Sequence, residues 1–317
     1  MTFSQEVKSE ILRSVRNLQG GNATSFLTAV LKSAGSLTLS SGGFAFTLDS
    51  DNLELLSLCK NFANEQLNAE VSISTREQPT KNQQMHTCTF EAVVGEQLGL
   101  TVRDKDGTLS LPEDVSTLIP ADVAAKHSFM QGLFVAGGSV GIPLTDEEHQ
   151  YSNMLSSKYH LELRFTDEAF ANAVAASFPE LDFHFLPRKS HCVLYLKGSE
   201  KISDFLVYVN ATKAKFALDN VIISRSMRNQ TNRQNNCDIA NIGKTVTAAG
   251  KQLKAITILR ENGKFETLPD QLKEIAVLRE ANVEATLDEI ADMLHISKSG
   301  ASHRMHKLIE LSQGKNK

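Results

Sequence analysis

The sequence predicts an α+β fold in which a pseudo-twofold repeat domain is followed by an all-α domain ending in a helix-turn-helix. Three observations carry this. FLTAVLKSAGSL, starting at Phe26, aligns without a gap with FMQGLFVAGGSV, starting at Phe129. The order helix-strand-helix-strand-strand-helix reads twice, over residues 1–100 and again over 121–218, which is the mark of a diverged repeat. Residues 284–310 then read as two short helices joined by a tight turn.

In chain order, residues 3–16 form an amphipathic helix with Phe3, Val7, Ile11 and Val15 on one face. A Gly-Gly break at 20–21 precedes a helix of small and apolar residues at 26–37, ending at Gly35. A strand follows at 42–48. The helix over 51–67 has Asp51 or Asn52 as its cap. Strands at 70–77 and 85–94 close the first repeat, with a short helix beginning near Gly95. Leu111-Pro112 and Ile119-Pro120 punctuate the join. The second repeat has a helix at 121–140, a strand at 159–165, a helix at 167–178, strands at 182–189 and 191–198, and a helix at 199–209. The two Gly/Ala-rich helices are expected to pack together at the centre, because small residues in register allow close approach. The insertion at 141–158 reads as a surface loop with an acidic patch at 146–148.

The predicted divisions are 1–218 for the repeat domain, 219–266 for a polar linker with an amphipathic helix, and 267–317 for the helix-turn-helix domain. Residues 219–241 are rich in Asn and Arg. Residues 243–262 carry Val246, Ala249, Leu253, Ile256 and Leu259 on one helical face. Leu268-Pro269 introduces the first helix of the last domain.

Within 284–310, Thr286 and Glu289 have capping-box spacing. Leu287, Ile290, Ala291 and Leu294 make one apolar face. The pattern breaks at His295-Ile296-Ser297, where His295 stands at a turn position that often holds Gly. Ser297 or Ser299 caps the second helix, whose buried face is Ala301, Met305, Leu308 and Ile309. Its other face, Lys298, Ser299, Ser302, His303, Arg304, His306 and Lys307, carries cations and hydrogen-bond donors and no carboxylate. An ordinary solvated face mixes charge signs. Here the first helix is acidic (Asp288, Glu289, Asp292) and the second basic, as suits a recognition helix for the major groove of double-stranded DNA.

The charge of the whole chain agrees. Residues 1–186 hold 12 Lys and Arg against 23 Asp and Glu, whereas residues 187–317 hold 21 against 14. A basic C-terminal part suits a polyanion, behind an acidic part with another task. The length of 317 residues suffices for two or three domains. No apolar run is long enough to span a bilayer, and the polar N-terminus is no signal peptide. Cys59, Cys88, Cys192 and Cys237 are far apart without a CxxC pattern, as reduced thiols of a cytoplasmic protein.

Other candidates for chemistry are weaker. AGGSVG (136–141) follows a helix, so its glycines fit a C-cap better than a phosphate loop. His303 and His306 have no Cys or acid at metal-partner spacing. His184, His191, Arg188 and Lys189 read as a solvated hairpin turn, and no GxSxG elbow is present. Arg225, Arg228, Arg233, Lys244, Lys251 and Lys254 fit two readings: an interdomain linker whose side chains cap helices, or a second surface holding phosphates.

MQGLFVAGG (130–138) resembles the LAGLIDADG motif of homing endonucleases, in which helices from two halves pack together and an Asp at the end of each binds the catalytic metal. The matching positions here are Gly137 and Ala34. Neither supplies the carboxylate oxygens that hold a hard cation. AGGSV, YHLEL, NRQNNCDIANIGKTV (232–246) and SKSGASHRMHKL (297–308) together resemble the WhiA family of bacterial transcription factors, over essentially the whole chain. The resemblance implies a degenerate LAGLIDADG domain joined to a helix-turn-helix, and a role in cell division or, in sporulating relatives, in developmental control. No catalytic, cofactor-binding or metal-binding residue is expected. The expectation is therefore a nucleoid-associated, sequence-specific DNA-binding regulator. The alternative is a protein-interaction scaffold that uses its helix-turn-helix to localise on DNA, with transcription or cell-division proteins as partners. The oligomeric state is open.

Overall fold

A computed structural model describes residues 2–40, 43–78, 83–143 and 159–314. They form two compact units, Met1–Ser224 and Arg225–Lys317. The acidic insertion expected at 141–158 falls almost wholly outside the described residues.

The first unit opens with α1 (Phe3–Ser14), started by a capping box between Thr2 and Gln5. Its buried face includes Val7 and Ile11, as the heptad-like spacing requires. The first repeat continues with α2 (Gly20–Ala34), β1 (Gly35–Ser40), β2 (Gly43–Ser50), α3 (Leu53–Leu67), β3 (Val71–Gln78), β4 (Gln83–Glu91) and α4 (Ala92–Gln97). Asn52 caps α3 by accepting from the Glu54 and Leu55 amides. A two-stranded ribbon, β5 (Val102–Arg103) and β6 (Leu109–Ser110), and a 3-10 turn at Val115–Leu118 occupy the join between repeats.

The second repeat has α5 (Val123–Gly137), β7 (Gly138–Gly141), β8 (His160–Phe165), α6 (Glu168–Ser177), β9 (His184–Pro187), β10 (Cys192–Lys197) and α7 (Ser199–Tyr208). Its sheet runs β7-β8-β10-β9, and that of the first repeat runs β1-β2-β4-β3. All pairings are antiparallel. The two sheets have the same connectivity, which is the structural form of the repeat read in the sequence.

Each repeat has one strand more than the sequence pattern suggests. GSLTLS and GSVG are strands, not the ends of helices. The cause lies at two equivalent glycines, Gly35 and Gly138. Both leave the helix directly in extended conformation, φ −76° and −84°. A Cβ at Gly35 would stand 2.5 Å from the Leu31 carbonyl oxygen, and one at Gly138 would stand 2.4 Å from the Phe134 ring. A side chain would block these sharp exits from helix to strand.

The helices α2 and α5 pack against each other at the centre of the unit. Phe26, Ala29 and Val30 of one and Phe129, Met130 and Leu133 of the other are buried. Cys59 and Cys88 lie in the same core as free thiols, and burial pushes both upward, Cys88 to about 12. Glu10 of α1 accepts from the amides of Lys213 and Ala214 at 2.7 and 3.0 Å. It thereby satisfies the opening N–H groups of α8 (Thr212–Glu261).

That 50-residue helix replaces the polar linker expected at 219–241. Asn-rich polarity reads as loop, yet residues 212–242 contain neither Pro nor Gly. The i,i+4 contact of Gln234 with Asp238 at 3.1 Å supports it. The folded segments at its two ends also remove the nucleation cost that makes isolated polar helices marginal. The expected apolar face begins only at Ala249; Val246 is 64% exposed.

Candidate nucleic-acid interface

The second unit is built on the end of α8 and on α9 (Asp270–Ala281), α10 (Leu287–Met293) and α11 (Lys298–Ser312). Its core gathers Ile256, Leu259, Phe265, Ile275, Ala276, Ile290, Ala291, Ala301, Met305 and Leu308. The small residues Ala291 and Ala301 are 2% and 0% exposed, so α10 and α11 meet over short side chains.

The capping box predicted at Thr286 is present. Glu289 donates its backbone N–H to Thr286 Oγ1 at 3.2 Å, and the Thr286 N–H donates to the Glu289 carboxylate at 2.6 Å. That backbone bond holds the Glu289 carboxyl below its ordinary range. Ser297, the first of two candidate caps, accepts from the Gly300 N–H at 3.1 Å. Between the helices His295 stands at φ 52°, left-handed, with its N–H donating to the Asp292 carbonyl. A residue type less suited than Gly nevertheless makes the turn, and Ile296 N–H closes it onto the Ala291 carbonyl at 3.0 Å.

Arg279 holds the loop before α10. It is 2% exposed and donates from Nη1 to the carbonyls of Ala285 at 2.6 Å and Asn282 at 3.3 Å. Burial pulls its guanidinium below its usual value. Nothing in the sequence singles this residue out, because it sits among ordinary helix-surface charges. Nearby, Arg260 pairs with Glu280 through two N–H donors and stacks 3.7 Å over the Phe265 ring.

On α11, at roughly 100° per residue, the buried stripe Ala301-Met305-Leu308 leaves Ser299, His303 and His306 near the middle of the outward face. Ser302 and Lys307 flank them. Lys298 and Arg304 lie at opposite edges, next to the buried stripe. The seven predicted residues thus spread over about 240° of the helix, with Lys298, Ser299, His303 and His306 exposed and Ser302, Arg304 and Lys307 half-buried. One expectation is corrected and one contact is added. The outward face does carry a carboxylate, since Glu310 falls in line with His303 in the last turns and pairs with Lys307 at 3.8 Å. And Lys298 pairs with Asp288 of α10 at 2.5 Å. The first two to three turns of α11 therefore carry no carboxylate of their own, and Asp288 of α10 stands at their Lys298 edge.

The six cations of the 225–254 segment all stand on α8. By the same angular count Arg225, Arg228, Arg233, Lys244, Lys251 and Lys254 fall within about 160° of arc. The helix orders side chains that look scattered in sequence.

Elsewhere, Gly138 is a helix C-cap and not part of a phosphate loop. His184 and His191 flank a hairpin turn, where the Arg188 N–H donates to the His191 carbonyl. In the first unit Ala34 and Gly137, which the sequence resemblance pairs with the metal-binding Asp of the endonuclease motif, end the paired helices. A cleft of about 710 Å³ beside Ala34 also exposes Lys8, Asp49 and Asp51. Among the described residues no group of three or more His, Cys, Asp or Glu stands where it could hold a metal. No described helix is long and apolar enough to cross a membrane.

Comparison with known proteins gives consistent matches. The family model described as the WhiA LAGLIDADG-like domain matches residues 23–83 and 126–228, and that of the WhiA C-terminal HTH domain matches 231–312. Proteins described as probable cell division protein WhiA are similar over 98% of this chain and 96% of their own length, at 33% identity in Staphylococcus epidermidis and 34% in Staphylococcus aureus. The fold resembles that of full-length WhiA from Thermatoga maritima, with a TM-score of 0.55 at 22% identity and all of both chains covered.

Proposed function

The chain belongs to the WhiA family, and from that premise we propose that it is a sequence-specific DNA-binding transcriptional regulator acting in bacterial cell division. The observation that carries the reading is the opening of α11. Ser299, His303 and His306 face outward there, flanked by Ser302, on a helix held by caps at both α10 and α11, and the first carboxylate of α11 itself is Glu310. N-terminal residues of a second helix are those that meet base edges in this motif. Lys298, Ser299, Ser302, His303 and Arg304 are the base readers, with His306 beside them. Lys307 and the cations of α8 hold phosphates. The protein is nucleoid-associated in this reading. The relatives' description as probable cell division proteins supports the biological setting. Ala34 and Gly137 support a repeat domain that has lost metal-dependent strand cleavage, since neither offers a carboxylate.

Binding of the full chain to a genomic fragment library at two salt concentrations tests this. The expected result is one enriched motif that survives the higher salt. Binding spread over all fragments that collapses with salt is backbone contact alone, and it sinks the reading. In that case the acidity of residues 1–186 favours the second reading, a scaffold for transcription or cell-division proteins localised on DNA.

A further inference from the structure

We propose that the exposed half of α8 is a second base-reading surface for duplex DNA, with Asn229, Asn232 and Asn236 meeting base edges and Arg233 beside them. This rests on the reading of the chain as a DNA-binding regulator, and adds to it a face outside the helix-turn-helix.

Residues 226–244 are exposed without exception. At about 100° per residue, Asn229, Asn232 and Asn236 fall within about 60° of one another, in the middle of the arc that the helix's cations occupy. Asp238 is the one acid between residues 220 and 260, and it stands about 160° from the centre of that arc. Ala240 and Gly243 lie on the same face, so the helix backbone there has no bulky side chain in front of it. Ile239, Ile242 and Val246 border the face along one edge.

Chemistry selects duplex DNA as the occupant. Phosphates alone would be met by cations, and an exposed helix gains nothing from Asn, which forms helix less readily than Ala, Lys or Gln. A row of amides is useful where one group must donate and accept together, as an adenine edge requires. The side chain is short, so it reads bases only where the backbone comes close. A helix about 10–12 Å wide enters a major groove about 12 Å wide. From Asn229 to Asn236 the axis advances about 10.5 Å, or roughly three base pairs. Lys244, Lys251 and Lys254 follow on the same side, about 12–27 Å further along, where a straight helix leaves the groove and passes the phosphate backbone. The deep, narrow major groove of A-form RNA does not admit such a helix.

The test uses the full chain on a random-sequence duplex library, selected at two salt concentrations, with two variants in parallel. One is Asn229→Ala/Asn232→Ala/Asn236→Ala, which favours the helix and so does not threaten folding. The other is Ser299→Ala/His303→Ala in the helix-turn-helix. The expected result is a motif in which each variant erases a different block of positions. The asparagine variant should weaken the selected site by about tenfold or more, yet leave random duplex and the salt slope nearly unchanged. An asparagine variant that selects the same full motif with the same affinity overturns the proposal and leaves the regulator reading standing. That is also the outcome if this face meets an acidic protein instead. Equal loss on selected and random duplex overturns it as well, because it marks contact with phosphate or sugar. Absence of any motif with the unmodified chain removes both readings together.

Discussion

Gly132 of α5 lies so close to Phe26 of α2 that a Cβ on Gly132 would stand 2.6 Å from the Phe26 carbonyl oxygen and 2.8 Å from the Ala29 Cβ. The obstacle is backbone, which cannot rotate away. Gly132→Ala is therefore expected to destabilise the first unit by about 1–3 kcal/mol through overpacking. Gly250→Ala is the control. It too is helical, but nothing lies within 4 Å of its missing Cβ, so the change should stabilise by about 0.5–1 kcal/mol. Thermal or denaturant unfolding of the two variants checks both signs. A neutral Gly132→Ala would mean the central helices have room to part.

Arg279 makes a different kind of contact. Its Nη1 ties the carbonyls of Asn282 and Ala285 into the turn before the first helix of the pair. Arg279→Ala should cost about 2–4 kcal/mol, since it removes a buried side chain with its charge-assisted bonds and takes the Nη1 donor from the part-buried Ala285 carbonyl. Arg279→Met restores packing without donors and should recover only part of that loss. Unfolding observed with a probe in the C-terminal unit separates the two. Full recovery by Met would make packing, not the hydrogen bonds, the reason for the residue.

The legibility of the fold tracks the periodicity of its apolar residues. The central helix pair is visible because Phe26 and Phe129 begin matching small-residue segments, and the capping box because Thr286 and Glu289 are local in sequence. The strands at Gly35 and Gly138 are not, since a glycine after a helical run signals only that the helix stops, and is equally at home before a loop or a strand. The continuity of α8 is hidden because Asn and Arg carry no apolar period, and its support comes partly from folded segments distant in sequence. The middle of the outward side of α11, Ser299, His303 and His306, is legible, whereas Glu310 in line with His303 is missed. The Lys298–Asp288 pair is not, because it joins two helices across a turn whose geometry rests on His295 at φ 52°.

The two repeats are also joined electrostatically. Lys32 near the end of α2 bonds to Asp167 at 2.9 Å, and Asp167 caps α6 by accepting from the Phe170 N–H. Burial pushes the Asp167 carboxyl upward, but the Lys32 ammonium and the backbone donors outweigh it and hold the group below its ordinary value. A carboxyl depressed in the folded state contributes stability that is whole above its unfolded pKa, about 3.9, and is lost as pH falls through the folded value. Asp167→Asn keeps a capping oxygen and removes the charge. Near neutral pH the variant should be less stable by about 1 kcal/mol or less, given the partly exposed pair. That gap should close as the pH is lowered below about 4. A gap that widens on acidification would reverse the assignment.

In the proposed DNA-binding reading, the pair between Lys298 and Asp288 limits how strongly α11 attracts DNA. Both side chains are more than half exposed, so the pair adds little to stability, and Asp288→Asn should cost less than about 1 kcal/mol even with its place in the first turn of α10. On DNA the change acts the other way. It removes a negative charge beside the first turn of α11 and frees the Lys298 ammonium, an assigned base reader, to enter the groove between the phosphates as a cation. Binding of random duplex should tighten at low salt, and the dependence of log K on log salt should steepen by about 0.9 for the one added contact. Lys298→Ala should change the slope in the opposite sense, or not at all if Asp288 already withholds the ammonium from DNA. An Asp288→Asn protein with unchanged affinity and slope would place this end of α11 away from the phosphates, and with it the docking of the helix that the base-reading assignment requires.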